Sequence, residues 1–143
     1  MDKTAIRDAA TIIVLRDVAT RPSVLMGQRG RDAAFLPGKF GFPGGAIDPN
    51  DATTPITALP QTDADRLSEE SAQAPTTLAA AAIRELWEET GQILGAPGQW
   101  PDPPQGWSGF ARTGHVPNGS ALQFFFRAVT PKGRPRRFDA RFF

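Results

Sequence analysis

The sequence predicts an α/β fold, because strand patterns precede and follow one long amphipathic helix. Residues 9–15 (AATIIVL) and 23–28 (SVLMGQ) are rich in the β-branched and aliphatic residues typical of strands. Residues 77–90 (TLAAAAIRELWEET) combine strong helix formers with apolar side chains at i, i+3 and i+4 spacing. Gly91 follows, where a helix C-cap belongs. Two further strand patterns occupy residues 121–129 and 136–143.

Length and composition predict a single folded domain over residues 1–143. A chain of 143 residues is long enough to bury its own hydrophobic core. Its 40% hydrophobic and 22% charged residues are ordinary for a globular protein and exclude a mainly disordered one. No apolar run approaches the roughly 20 residues that span a bilayer, so we expect no membrane partner. No secretory signal is visible, and we expect a cytoplasmic protein.

The scarcity of soft metal ligands limits the kinds of site the chain can form. It has no cysteine and only one histidine, His115, which excludes cysteine-ligated zinc, iron–sulfur clusters and histidine clusters. A bound metal would therefore use oxygen ligands, which favours magnesium, manganese or calcium. The formal net charge of +1 argues against a bulk polyanion, and hence against a nucleic-acid partner.

Residues 49–77 differ in composition from the rest of the chain. They are rich in Asp, Thr, Ala, Pro and Ser and show no strand pattern or long helical period. We interpret them as an inserted surface loop with one short helix near residues 63–72. A long irregular stretch within a compact domain is typical of an insertion or a functional lid.

Three glutamates on the predicted helix are the residues most indicative of chemistry. Glu85, Glu88 and Glu89 are three and four positions apart, so their carboxylates project from one side of the helix. Glu85 and Glu89 would repel each other by about 0.2–0.5 kcal/mol in an isolated helix, whereas a divalent cation would reverse the sign. The ordinary alternative is a solvated acidic surface. Gly44 and Gly45 form a bend upstream that can offer a carbonyl to a metal and admit a diphosphate.

These residues resemble the signature of the Nudix hydrolase family. Residues 84–91 (RELWEETG) match its second half at every fixed position, and Gly45 in the run FPGG fits its opening glycine. The acid six residues after Gly45 is Asp51 where the signature has Glu, and Asp48 is a competing candidate. Residues 52–83 separate Asp51 from Arg84, where the signature has a much shorter spacer, so the motif carries an insertion.

The resemblance implies an α/β/α sandwich around a mixed sheet and the metal-dependent hydrolysis of a nucleoside diphosphate linked to another group. It implies Mg²⁺ or Mn²⁺ held by Glu85, Glu88, Glu89 and the Gly45 carbonyl. Glu85 or Glu89 could act as the base, although some relatives use an acid from a C-terminal loop instead, and Arg84 would belong to the catalytic set. Relatives normally continue into a second large helix, which we expect to be absent here. Either the chain is then a fragment that lacks the C-terminal part of the fold, or a partner chain covers the exposed sheet face.

A second resemblance is to the coenzyme A diphosphatase branch of this family. Residues 25–30 (LMGQRG) lead to Gly38 and then to FPGG with the spacing of that branch's motif, although its Thr, Ser and His are not matched. The long insertion is also similar to this branch. The resemblance implies that Arg29, Gly38 and Gly44 contact the substrate, which would be CoA or acyl-CoA.

Several alternatives stay open at this point. A Nudix-like module could bind nucleotides without cleaving them, and a homodimer is compatible with the sequence. The aromatic residues Trp100, Trp107 and 124–126 could stack a base or hold an acyl chain, but the core is the favoured interpretation for Phe124 and Phe126.

Overall fold

The protein is described by a computed structural model that covers residues 5–33 and 36–143. Its strands are, in chain order, β1 (Ile6–Thr11), β2 (Leu15–Arg16), β3 (Ser23–Val24), β4 (Gly27–Gln28), β5 (Phe40–Gly41), β6 (Gly44–Ala46), β7 (Gly95–Pro97), β8 (His115–Pro117), β9 (Phe126–Val129) and β10 (Arg137–Phe142). Its helices are a 3₁₀-helix at Pro49–Thr53 and the α-helices α1 (Gln61–Leu67), α2 (Pro75–Thr90) and α3 (Ser108–Arg112).

A four-stranded mixed sheet with the order β6–β1–β10–β9 forms the centre of the domain. Strands β1 and β10 are parallel, and β6 and β9 run antiparallel to their neighbours. Helix α2 packs on one face of this sheet, against β1 and β6. The predicted α/β fold with a mixed sheet is therefore confirmed.

The limits of helix α2 are set by residues within its own sequence. Pro75 occupies its first turn, where a missing N–H costs nothing. Gly91 ends it in the left-handed conformation, with φ of 75°, and donates its N–H to the Trp87 carbonyl. Four consecutive alanines, residues 79–82, are fully buried. Their small side chains let the helix backbone approach the sheet closely.

The short strands differ from the sequence prediction in their limits. The predicted strand at residues 9–15 is observed at Ile6–Thr11, and residues 23–28 divide between β3 and β4. Of the predicted strand at residues 121–129, only Phe126–Val129 is extended in the sheet. Phe125 still donates its N–H to the Phe142 carbonyl of β10 at 3.2 Å, but the Phe124 N–H donates to Asp63 Oδ1 at 2.8 Å and so leaves the sheet.

The segment 49–77 contains more regular structure than its composition predicts. It contains the 3₁₀-helix, α1 and the start of α2, and the short helix lies at Gln61–Leu67 rather than near residues 63–72. Asp51 and Leu67 within it are buried. Local periodicity could not reveal these elements because distant contacts stabilise them. One such contact is the Arg66 guanidinium, which lies 5.0 Å from the centre of the Phe124 ring.

Trp107 belongs to the core, and the partly exposed Trp100 packs against it. Trp107 is fully buried, with ring centroids 5.5 Å from Trp100 and 5.3 Å from Phe110. A base could not stack on Trp107 without opening this cluster. Phe124 is also buried, as expected, whereas the expectation that Phe126 is buried is wrong, since it is about half exposed. Among the described helices, none has the length and apolar character needed to cross a membrane.

We expect Leu78→Ala to lower the free energy of unfolding by about 2–5 kcal/mol, because it leaves a cavity between α2 and the sheet. Leu78 is completely buried, whereas Leu15 is 57% exposed, so Leu15→Ala is the matched control and should change stability by no more than about 0.5 kcal/mol. Urea unfolding followed by tryptophan fluorescence measures both. Equal losses would contradict the described packing of α2.

Candidate functional site

The glycine bend and the glutamate helix meet in the structure, although many residues separate them in the chain. A Cβ atom built on Gly45 would lie 2.7 Å from Glu85 Cδ, so any side chain there would displace the Glu85 carboxylate. A Cβ atom on Gly44 would lie 2.7 Å from the Ala10 carbonyl oxygen of β1. Both glycines are therefore required by close approach, one to α2 and the other to the sheet.

Arg84 connects the two parts of the site. Its Nε and Nη2 donate to the two oxygens of Asp51, at 2.8 and 3.0 Å. Nη2 also donates to the Ala46 carbonyl at 3.1 Å. Nη1 donates to Glu85 Oε1 at 3.0 Å and to Glu88 Oε2 at 3.1 Å. Every N–H of this 6%-exposed guanidinium thus has a partner within the protein.

The structure gives different roles to Asp51 and Asp48, the two candidates for the first acid of the signature. Asp51 is fully buried and binds Arg84 through both carboxylate oxygens. Asp48 instead caps the 3₁₀-helix, since its Oδ1 accepts the Asn50 N–H at 2.8 Å. Asp51 Oδ2 accepts the Asp48 N–H at 2.8 Å, which completes a capping box. The run DPND at residues 48–51 carries this signal, which the sequence analysis did not use.

Without a bound cation, the environment of α2 disfavours ionisation of the Glu85 and Glu88 carboxyls. Burial raises the pKa of Glu85, Arg84 opposes the rise, and Glu89 adds to it. Burial also raises the pKa of Glu88, again against the effect of Arg84. Burial alone would lower the pKa of Arg84, but the hydrogen bond and charge of Asp51 more than reverse this. A bound cation would relieve the free-energy cost of ionising these carboxyls.

The predicted metal ligands are close together but do not form a ready-made cation site. Within residues 5–33 and 36–143, no three acidic or histidine side chains converge on one point. Glu88, whose side chain is 43% exposed, is turned to Arg84. The donor set still fits a hard cation chemically, because Glu85 and Glu89 lie one helical turn apart and Glu85 contacts Gly45.

The predicted substrate residues occupy two places. Gly44 lies in β6, directly before Gly45. Arg29 and Gly38 lie together beside the β4–β5 hairpin, where the Gly38 N–H donates to the Arg29 carbonyl at 3.1 Å. Gly38 has φ of 70°, a conformation that favours glycine. Their roles toward a substrate stay predictions.

Comparisons with known proteins point to one family. No protein-family model and no curated protein matches the chain. Among solved structures, the chain is similar to one described as a NUDIX hydrolase from Alicyclobacillus acidocaldarius, with a TM-score of 0.73 and 32% sequence identity. The similarity covers 97% of this chain and 68% of that one.

We expect Asp51→Ala to cost about 3–5 kcal/mol of unfolding free energy, because it leaves the Arg84 charge buried without its main partner. Asp48→Ala removes only a helix cap and should cost about 1 kcal/mol. Chemical denaturation of both variants measures the difference. Similar losses would contradict the assignment of Asp51 as the partner of Arg84.

Proposed function

Because the chain belongs to the Nudix hydrolase family, we propose that it hydrolyses the diphosphate of a nucleoside diphosphate linked to another group, using Mg²⁺ or Mn²⁺. The main support is the contact of Glu85 with Gly45, which joins the two halves of the family signature in space. The polypeptide between these halves, residues 49–77, is proposed to be an insertion within a single Nudix domain.

We assign the cation to the carboxylates of Glu85, Glu88 and Glu89 and the carbonyl of Gly45. When bound, such an ion would neutralise charge on diphosphate oxygens and lower the pKa of water. Glu85 or Glu89 would take the proton from the attacking water. The raised pKa of Glu85 supports this role, because a base works best when its pKa lies near the working pH.

Arg84 is proposed to act as a positioning residue and not in contact with the substrate. Its N–H groups are all used by Asp51, Ala46, Glu85 and Glu88. It therefore retains no donor for a diphosphate. Its effect on the reaction would come from the orientation that it imposes on the two glutamates.

The substrate class is proposed to be CoA or acyl-CoA. Gly44, where β1 fills the space that a side chain would take, would present only its backbone to the diphosphate at the bend. Arg29 would contact a phosphate with its planar guanidinium, and Gly38 would shape the backbone beside it. This assignment is supported by the sequence resemblance of residues 25–45 to the CoA diphosphatase motif.

We expect Glu85→Gln and Glu89→Gln each to lower kcat at least ~100-fold, because each removes a charge required for the reaction. The assay compares CoA, acetyl-CoA, NADH, ADP-ribose and dinucleotide polyphosphates with Mg²⁺ or Mn²⁺. Asp102→Asn, a change at an exposed acidic residue outside α2, is the control and should retain full activity. Full activity of the Glu85 and Glu89 variants would refute the assignment. Nucleotide binding without hydrolysis by the unaltered protein would show a binding module.

Metal-free Glu85→Gln should also be at least as thermostable as the unaltered protein at neutral pH. A carboxyl whose folded pKa is raised above its ordinary 4.5 stabilises the fold only below that value, and this contribution is lost as pH rises through the folded pKa. At neutral pH its ionisation is therefore a cost, which glutamine removes while still accepting the Arg84 hydrogen bond. A large fall in Tm would indicate a structural role for Glu85 instead.

We expect Gly45→Ala to reduce kcat about 100-fold, because its Cβ would displace the Glu85 carboxylate by roughly 1 Å. Gly41→Ala is the matched control, since a Cβ there meets nothing within 4 Å. Steady-state kinetics of the two variants should therefore differ strongly. Nearly equal rates would contradict the role proposed for the contact between Gly45 and Glu85.

A further inference from the structure

A second network of charged side chains lies on the α2 side of the sheet, away from the glutamates. Arg127 of β9 donates through Nε and Nη2 to the two oxygens of Asp139, at 2.8 and 2.6 Å. Arg141 of β10 is only 1% exposed and donates to Asp8 Oδ1 at 2.6 Å and to the Asp139 carbonyl at 3.0 Å. These pairs are well oriented and partly buried, unlike the exposed ion pairs that contribute little.

Both arginines extend from the sheet to the segment 69–73, which lies just before α2. Arg127 donates to the carbonyls of Glu69 and Glu70, at 3.1 and 3.0 Å. Arg141 Nη2 donates to Ser71 Oγ at 3.0 Å. Gln73 Nε2 donates to Asp8 Oδ2 at 3.2 Å, so the same acid that holds Arg141 also holds this segment. We call these contacts the arginine clamp.

The start of α2 has no side-chain cap of its own. Its N-cap residue is Ala74, which makes no side-chain cap hydrogen bond. Glu70 has φ of 45°, a left-handed conformation that is unfavourable for a residue with a side chain. Such a conformation persists only where surrounding contacts impose it. The contacts made by Arg127 and Arg141 are suited to do so.

We infer that Arg127 and Arg141 are positioning residues that fix the direction of α2, and thereby the position of Glu85 against Gly45. This inference rests on the proposed function. Apolar packing of the buried residues 77–83 holds α2 against the sheet, but such packing is not directional. The Arg84–Asp51 pair is a directional anchor only in the C-terminal half of α2. The clamp supplies a second anchor about 15 Å along the helix, at 1.5 Å per residue between Pro75 and Glu85.

The test uses two variants that weaken the clamp in different ways. Arg127→Lys keeps the charge beside Asp139 but cannot reach both carbonyls, because an ammonium lacks the planar fork of a guanidinium. Ser71→Ala removes the hydroxyl that Arg141 contacts and leaves the buried ion pairs intact. Arg112→Lys, an exposed change in α3, is the control.

We expect both clamp variants to exchange amide hydrogens at residues 69–77 at least ~10-fold faster than the control. We also expect kcat to fall about 10-fold with little change in KM. The residues that bind the substrate are unaltered, and misplaced reacting groups affect mainly kcat. A lower Tm with kcat unchanged would overturn the inference, because the clamp would then only stabilise the fold. Unchanged exchange at residues 69–77 would also overturn it.

The exchange measurement separates this inference from the proposed function. If the unaltered protein hydrolyses none of the nucleotides, the proposed function fails, and exchange is then followed at residues 84–89 as well. Faster exchange at both ends of α2 in the clamp variants would support the positioning of the helix by the clamp. Unaltered exchange at residues 84–89 would overturn it.

Discussion

The site depends on the buried pair of Asp51 and Arg84. Removing both charges from water is costly, and the pair is tolerable because every guanidinium N–H and both carboxylate oxygens are hydrogen-bonded. The pair ties the turn after β6 to the middle of α2. The same guanidinium also donates to Glu85 and Glu88. Arg84 therefore both orients these two carboxylates and holds the turn that contains Asp51 against α2.

The polypeptide between Asp51 and Arg84 would be expected to weaken this link, but it is itself attached to the domain. A longer loop adds only slowly to the entropy cost of closure. Asp63 and Arg66 bind the Phe124 region, and the arginine clamp binds the segment 69–73. The segment 49–77 thus contributes to the scaffold that carries the glutamates.

The carboxylates of α2 illustrate a conflict between stability and chemistry. Burial disfavours the charged forms of Glu85 and Glu88, and a fold under selection for stability alone would place neutral residues there. The fully buried alanines in the preceding turn of the helix offset part of this cost by close packing. Helix α2 is thus buried along residues 77–84 and acidic at Glu85, Glu88 and Glu89, which allows one helix to serve both needs.

The sequence alone determined α2 and the signature residues, because helix propensity, apolar spacing and the glycine cap act within a few residues. It also determined the strand at Arg137–Phe142 and the mixed α/β class. Only the tertiary structure paired Asp51 with Arg84, buried Trp107, divided the strand at residues 23–28 and set the limits of the short helix at Gln61–Leu67. Each of these outcomes depends on a partner far away in the chain, such as Arg84 for Asp51 or Phe124 for Asp63. Local sequence patterns contain no record of such distant contacts.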